Sequence, residues 1–171
     1  MATDFTELQA TFKRMNPQVL RLWRWHLGWL MSAVPPLTGR TMVVTHTGRT
    51  SGRRLQTPCN YAVIDGVVWA ATNRRAQWLK NIQADGRVEV WLPLRRPRYG
   101  VAETFPLDAE HIGQYRRVLV AGGRAAAHYA GISPRTTSDA DLLERGADYH
   151  LLRITPGDVV PRSARKVAPA S

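Results

Sequence analysis

From Thr41 onward the sequence is cut into short strand-like runs separated by turn residues, and one helical segment interrupts them before Phe105. Thr41–Thr47 puts Met42, Val44 and His46 on one face and Val43, Thr45 and Thr47 on the other, the two-residue period of a β-strand. Leu55–Ile64 and Val67–Thr72 flank Asp65-Gly66, the strongest short hairpin signal in the chain. Arg87–Leu92 alternates again with Val88, Val90 and Leu92 inside, and after the Pro93–Pro97 turn Arg98–Phe105 returns as its partner. Tyr149–Ile154 supplies a last strand. Five or six antiparallel strands with one short helix, Ala76–Ala84, inserted midway do not fit a parallel βαβ sheet. Such strands most economically close into a small barrel, which removes exposed edges.

Helical spacing governs the segments before and after these strands. Asn16-Pro17 reads as an N-cap followed by proline at the first helical position, and Pro35-Pro36 stops the helix. Val19, Leu20, Trp23, Leu27, Leu30 and Val34 form one stripe of an amphipathic helix, with Arg14, Arg21, Trp25 and Trp29 on the other side. Arg21, Arg24 and His26 interrupt an apolar stretch already too short to span a bilayer. Two roles remain for this helix: packing on the domain core, or resting its indole and guanidinium groups in a lipid headgroup layer. Pro106-Leu107-Asp108 caps a helix with Ile112, Tyr115, Val118 and Leu119 buried and Gly122-Gly123 at its end. A short helix follows over Arg124–Ala130, and Ser138-Asp139 opens another over Ala140–Arg145. The division expected is a helical segment at 1–36, a barrel domain at 37–156 and a loose basic tail at 157–171.

Charge indicates what such a domain would bind. Lys plus Arg number 24 against 13 Asp plus Glu, a net charge of +11. Arginine accounts for most of it, and no acidic residue occurs from Leu8 to Ile64. That stretch should attract anions. Nucleic acid fits poorly, because the aromatics do not interleave with the basic residues as stacking platforms would. The single cysteine, Cys59, excludes a disulfide framework and a cysteine-rich zinc module, so a cytoplasmic-type reducing compartment is the default. The histidines show no metal-ligand spacing, and packing or surface roles are expected for them.

Two clusters carry candidate chemistry. Thr47-Gly48-Arg49-Thr50-Ser51-Gly52-Arg53-Arg54 crowds hydroxyls, arginines and flexible glycines into one strand reversal, a composition suited to phosphate. It lacks the GK[ST] ending of a Walker loop, and no GxGxxG fingerprint occurs. The second cluster, Ala71-Thr72-Asn73-Arg74-Arg75, leads from a strand end into a helix opening, again the order of an anion site. Trp78 and Asn81 share one face of that helix, where a ring could stack and an amide could hydrogen-bond a flat heterocycle. An ordinary polar hairpin loop and a core aromatic are the plainer readings of the same residues.

Thr47-Gly48-Arg49-x-Ser51-Gly52 with Pro58 beyond it, then Ala71–Arg75 and Trp78-x-x-Asn81-Ile82-x-Ala84-Asp85, resembles the deazaflavin (coenzyme F420)-dependent nitroreductase and quinone reductase family. The resemblance implies an α+β fold: a split β-barrel of mainly antiparallel strands with peripheral helices. It implies that Arg49, Thr50, Ser51 and Arg54 hold the phosphate and acidic tail of coenzyme F420, and that Gln56, Thr57 and Pro58 meet its ring. Ala71, Thr72, Asn73, Arg74 and Arg75 would form the opposing loop, with Trp78 and Asn81 on its helix. The expected activity is hydride transfer from the reduced deazaflavin to an apolar electrophile: a quinone, an enone or a nitroaromatic. Tyr129 is a candidate at the substrate side, and no catalytic residue or metal is expected, since the cofactor supplies the reactivity. The alternatives are an FMN-loaded split barrel and a non-enzymatic binder of anionic ligands or lipid. Peripheral contact with an anionic membrane, at the inner face of the cell membrane, and pairing into a homodimer complete the expectations.

Overall fold

The structure, a computed structural model, describes residues 16–23, 25, 27, 39–123 and 133–161. Six strands form the barrel: β1 (Thr41–Thr47), β2 (Arg54–Ile64), β3 (Val67–Asn73), β4 (Arg87–Trp91), β5 (Arg98–Pro106) and β6 (Tyr149–Val159). Among the described residues four helical segments surround it: α1 (16–23), α2 (Gln77–Ala84), α3 (Ile112–Ala121) and α4 (Asp139–Arg145). The barrel runs β1-β2-β3-β6-β5-β4 and closes on itself, and every pairing is antiparallel. The expected hairpin turn is present, with Asp65 at φ 52° and Gly66 at φ 80°, the left-handed pair that a tight two-residue turn requires.

Alternation along the strands sorts side chains into an inner core and two outer ones. Met42, Val44, Val68, Ala70, Leu152 and Ile154 fill the barrel interior, and Leu79 and Ile82 of α2 join them. On the outer face of β2, β3 and β6, Trp69 and Leu151 pack against Tyr115 and Leu119 of α3 and Leu142 of α4. Ser138 caps α4 as expected, its side chain accepting from the Asp141 N–H at 3.1 Å. On the outer face of β1 and β4, Val19, Leu20 and Trp23 of α1 bury Val43 and lie against Trp91. The Trp23 and Trp91 rings meet edge to face at 5.3 Å. The first half of the N-terminal stripe therefore packs on the domain, while Trp25 is 66% exposed. Leu30, Val34, the outer-face Trp29 and the expected helix at 124–130 lie outside the described residues.

Strand β6 continues past its expected end at Ile154 and past the expected start of the tail at 157, reaching Val159. Val160 is buried beside it and its N–H donates to the Pro97 carbonyl at 2.9 Å. Pairing with β5 explains the extension, because Arg98 of that strand lies opposite Val159. The ladder, absent from local sequence pattern, orders residues that composition reads as loose.

Pairing also leaves one side of the barrel open. Strand β2 pairs with β1 along Arg54–Asn60 but meets β3 only from Tyr61 opposite Ala70 to Ile64 opposite Val67. Beyond that point β3 pairs with β6 out to Asn73. The first half of β2 and the last residues of β3 thus separate at one end of the barrel.

The start of β1 abuts the end of α3. Arg40 N–H donates to the Ala121 carbonyl at 2.7 Å, and Gly39 sits at φ 73°. A Cβ at Gly39 would run into the Gly122 backbone. Gly39→Ala should therefore destabilise the protein by roughly 2–3 kcal/mol, whereas Gly113→Ala, where added bulk meets open space, should leave stability equal or raise it by up to about 1 kcal/mol. Thermal unfolding of the two variants checks the opposite signs.

Candidate functional site

The turn joining β1 to β2 is built by its two glycines. Gly48 N–H donates to the Arg53 carbonyl and Gly52 N–H to the Gly48 carbonyl, both at 2.8 Å, with Gly52 at φ 62°. Arg53 N–H donates to Ser51 Oγ at 3.3 Å. Arg49, Thr50 and Ser51 stand exposed at the tip. The turn does not hang unsupported: the Arg49 N–H donates to Asn81 Oδ1 at 3.2 Å, and its Nη1 donates to Gln77 Oε1 at 3.0 Å and Asn81 Oδ1 at 3.4 Å. Both acceptors lie on α2, so the first arginine cluster is fastened to the helix that follows the second.

The second cluster is an Asx-type bend. Asn73 Oδ1 accepts from the Arg75 N–H and the Asn73 carbonyl from the Ala76 N–H, both at 2.9 Å. Arg74 is anchored twice to Asp148: N–H to carbonyl at 2.7 Å, and Nε to Oδ1 at 2.8 Å. Arg75 is exposed and has no ion-pair partner among the described residues. The antiparallel registers put the β1–β2 turn and the β3–α2 bend at the same end of the barrel, on either side of the opening between β2 and β3.

The remaining expected residues divide by face. Thr57 lies opposite Val44 and Gln56 opposite Thr45 on the β1–β2 ladder, with Pro58 opposite Val43. Thr57 therefore shares the interior-facing side and Gln56 the outer one. Thr72 is buried, while Ala71 packs on the outer core under α3. Trp78 is half-buried and packs against the interior core. Arg54 points elsewhere. It pairs with Glu89 at 2.6 Å beside a cavity of about 320 Å³ that Thr45, Thr47, Tyr99 and Asp85, the C-cap of α2, also line. Tyr129 lies outside the described residues.

Residue types at the sequence level did not single out His46. It is buried at 3% exposure, with Nε2 3.1 Å from Thr57 Oγ1 and Nδ1 3.5 Å from Asn81 Nδ2. Burial pushes its pKa down to about 4. The available signal was its register: a polar ring in line with Met42 and Val44 must find partners inside. Gln77, Glu89 and Asp148 were missed because only the fold brings them to the arginines.

A neutral buried imidazole makes the fold acid-sensitive. The unfolded chain takes up this proton near pH 6.5 and the folded protein only near 4, so the stability it supports is complete above pH 6.5 and is lost as pH falls toward 4. The loss should approach roughly 3 kcal/mol. Denaturant unfolding at pH 7 and pH 4.5 should show it, and His46→Leu should flatten that part of the pH dependence.

Among solved structures, the chain superposes on a proposed 5-nitroimidazole antibiotic resistance protein from Bacteroides thetaiotaomicron with a TM-score of 0.54 at 10% identity, covering 70% of this chain and 74% of that one. It superposes on a protein of unknown function from Agrobacterium tumefaciens with a TM-score of 0.51 at 19% identity, covering 77% of this chain and 53% of that one. Such likenesses establish the split-barrel fold. No curated protein matches the sequence. Residues 30–137, more than half of the chain, match the model of the F420H(2)-dependent quinone reductases, and that span holds both arginine bends, the opening between β2 and β3, and α2. The chain belongs to the F420H2-dependent quinone reductase family and is an oxidoreductase that uses coenzyme F420.

Proposed function

We propose that coenzyme F420 lies at the open end of the barrel, its anionic portion on the two arginine bends and its ring in the gap between β2 and β3. The observation that carries this reading is the fastening of Arg49 to α2 through Gln77 and Asn81, which brings the turn and the bend to one place. The residues present fit the group. Guanidinium forks at Arg49, Arg74 and Arg75 with the hydroxyls of Thr50 and Ser51 suit phosphate and carboxylate. Along Arg54–Asn60, β2 has a ladder partner only in β1, so its other edge offers backbone groups to a flat heterocycle.

Each residue then has a bounded role. Arg49 and the turn tip hold the negative charge, while Asn73 and Asp148 keep the second bend in shape. Thr57 and the exposed part of Trp78 border the ring. Asn81 spends its amide inside the protein and acts through Arg49 rather than on the heterocycle. When bound, the reduced deazaflavin supplies the hydride, so the chain needs to orient and exclude water rather than furnish an acid–base pair. The acceptor is an apolar electrophile: a quinone, an enone or a nitroaromatic. No helix among the described residues is long and apolar enough to cross a membrane. Exposed Arg21 on α1 and exposed Trp25 just beyond its end support peripheral contact with anionic lipid.

Titrating the protein with oxidised F420 and following fluorescence tests the reading. Arg49→Ala should weaken binding by about 1.5–3 kcal/mol, tenfold or more in Kd. Arg74→Ala should fall at the lower end, because Asp148 shares that guanidinium. Unchanged constants in both variants would remove the tail assignment; failure to bind F420, with a yellow flavin spectrum as isolated, would point to FMN. Separately, pelleting with anionic liposomes should weaken in Trp25→Ala with Arg21→Glu, and full-length protein that never pellets ends the membrane proposal.

A further inference from the structure

We infer that His46 is a positioning residue that sets the polarity of the cofactor site: it fixes which end of the Asn81 amide meets Arg49 and which way the Thr57 hydroxyl donates. The inference rests on the F420 reading for its functional consequence, but its geometry stands by itself. Asn81 Oδ1 receives the Arg49 N–H at 3.2 Å and Arg49 Nη1 at 3.4 Å. Two donors converge on that atom, so it must be the oxygen, and the amide nitrogen must face His46 Nδ1 at 3.5 Å. An amide nitrogen only donates. Nδ1 therefore offers its lone pair, and the ring proton resides on Nε2.

The Thr47 backbone carbonyl also faces the ring; with Nδ1 given to the Asn81 amide, the Nε2 hydrogen is the one left to donate. Nε2–H donates to Thr57 Oγ1 at 3.1 Å. A hydroxyl that accepts there keeps its own hydrogen for another acceptor. Thr57 lies on the half of β2 that has separated from β3, so that hydrogen is available to a carbonyl or ring nitrogen entering the gap. One buried imidazole thus couples the anion end of the site, through Asn81 and Arg49, to the ring end, through Thr57. The charged groups around it are Arg49, reached through Asn81, and Arg54, Asp85, Arg87 and Glu89 along the cavity that His46 also lines. Burial holds the ring neutral at pH 7, which the donor sequence requires.

Nitrogen-15 NMR of the full-length protein at pH 7 should show His46 as the Nε2–H tautomer; an Nδ1–H tautomer or an imidazolium overturns the inference. His46→Leu should raise Kd for F420 at least tenfold while kcat at saturating cofactor changes less than threefold. His46→Gln, which keeps one donor and one acceptor, should recover most of the loss. Unchanged F420 affinity in His46→Leu overturns the inference. If the leucine variant does not fold, Thr57→Val takes its place and should weaken F420 binding with the Arg49 amide still protected. Hydrogen exchange at the Arg49 amide separates the two readings. Faster exchange in His46→Leu with recovery in His46→Gln supports the positioning role even if wild-type protein fails to bind F420, a failure that would count against the proposed function alone. Exchange equal to wild type in His46→Leu overturns the positioning role.

Discussion

Strand β2 cannot serve two neighbours along its whole length, and the site follows from that geometric limit. It is eleven residues long, paired throughout its first half with β1, and it reaches β3 only from Tyr61 onward. Meanwhile β3 is drawn to β6 as far as Asn73. Twisted strands that must also close a barrel diverge where one neighbour is shared unequally. The barrel is consequently sealed by the Asp65-Gly66 hairpin at one end and parted at the other. Both arginine bends fall at the parted end because each is the connection leaving it.

Parting alone would give a slack edge. What stiffens it is helix α2, whose Leu79 and Ile82 sit in the interior core and whose Gln77 and Asn81 take hold of Arg49. The polar grip is charge-assisted and partly buried, which favours a fixed geometry over the swinging of an exposed arginine. Binding an anion to a turn already held in place avoids part of the ordering cost that a floppy loop would incur. The arginines also differ in their surroundings. Arg54 and Arg74 each have a carboxylate at hand, so the strong positive charge of the sequence is locally offset at those two positions and less so around Arg49 and Arg75.

Much of this was legible before any coordinates. The two-residue alternation in Thr41–Thr47, the Asp65-Gly66 turn and the apolar spacing of Ile112, Tyr115, Val118 and Leu119 are local signals, and the strands, turn and helix they indicate are present. Glycines, hydroxyls and guanidiniums that cluster within a few residues mark Arg49 and Arg74 as candidates, and the strand registers bring their two bends to one end of the barrel. Partnerships across the chain were not legible. Nothing near Arg54 in sequence points to Glu89, and nothing near Arg74 points to Asp148; those pairs exist only after strand registers are set. His46 reads as a packing residue and is buried, but a lone histidine carries no spacing signal for its partners, and the contact of Asn81 with Arg49 spans thirty-two residues, beyond any local pattern. The end of β6 was missed for the same reason, since its order comes from β5.

The position of β6 bears on how the protein is made. It is the last of the six strands, yet it sits between β3 and β5, and its ladder with β3, from Val68 opposite Ile154 to Asn73 opposite Tyr149, spans more of the chain than any other in the sheet. Until β6 has left the ribosome, β3 and β5 lack their shared partner and the cylinder cannot shut. Completion of the fold must therefore follow synthesis of Tyr149–Val159, a slow, long-range step during which the edges of β3 and β5 stay open to chaperones or to pairing with another nascent chain.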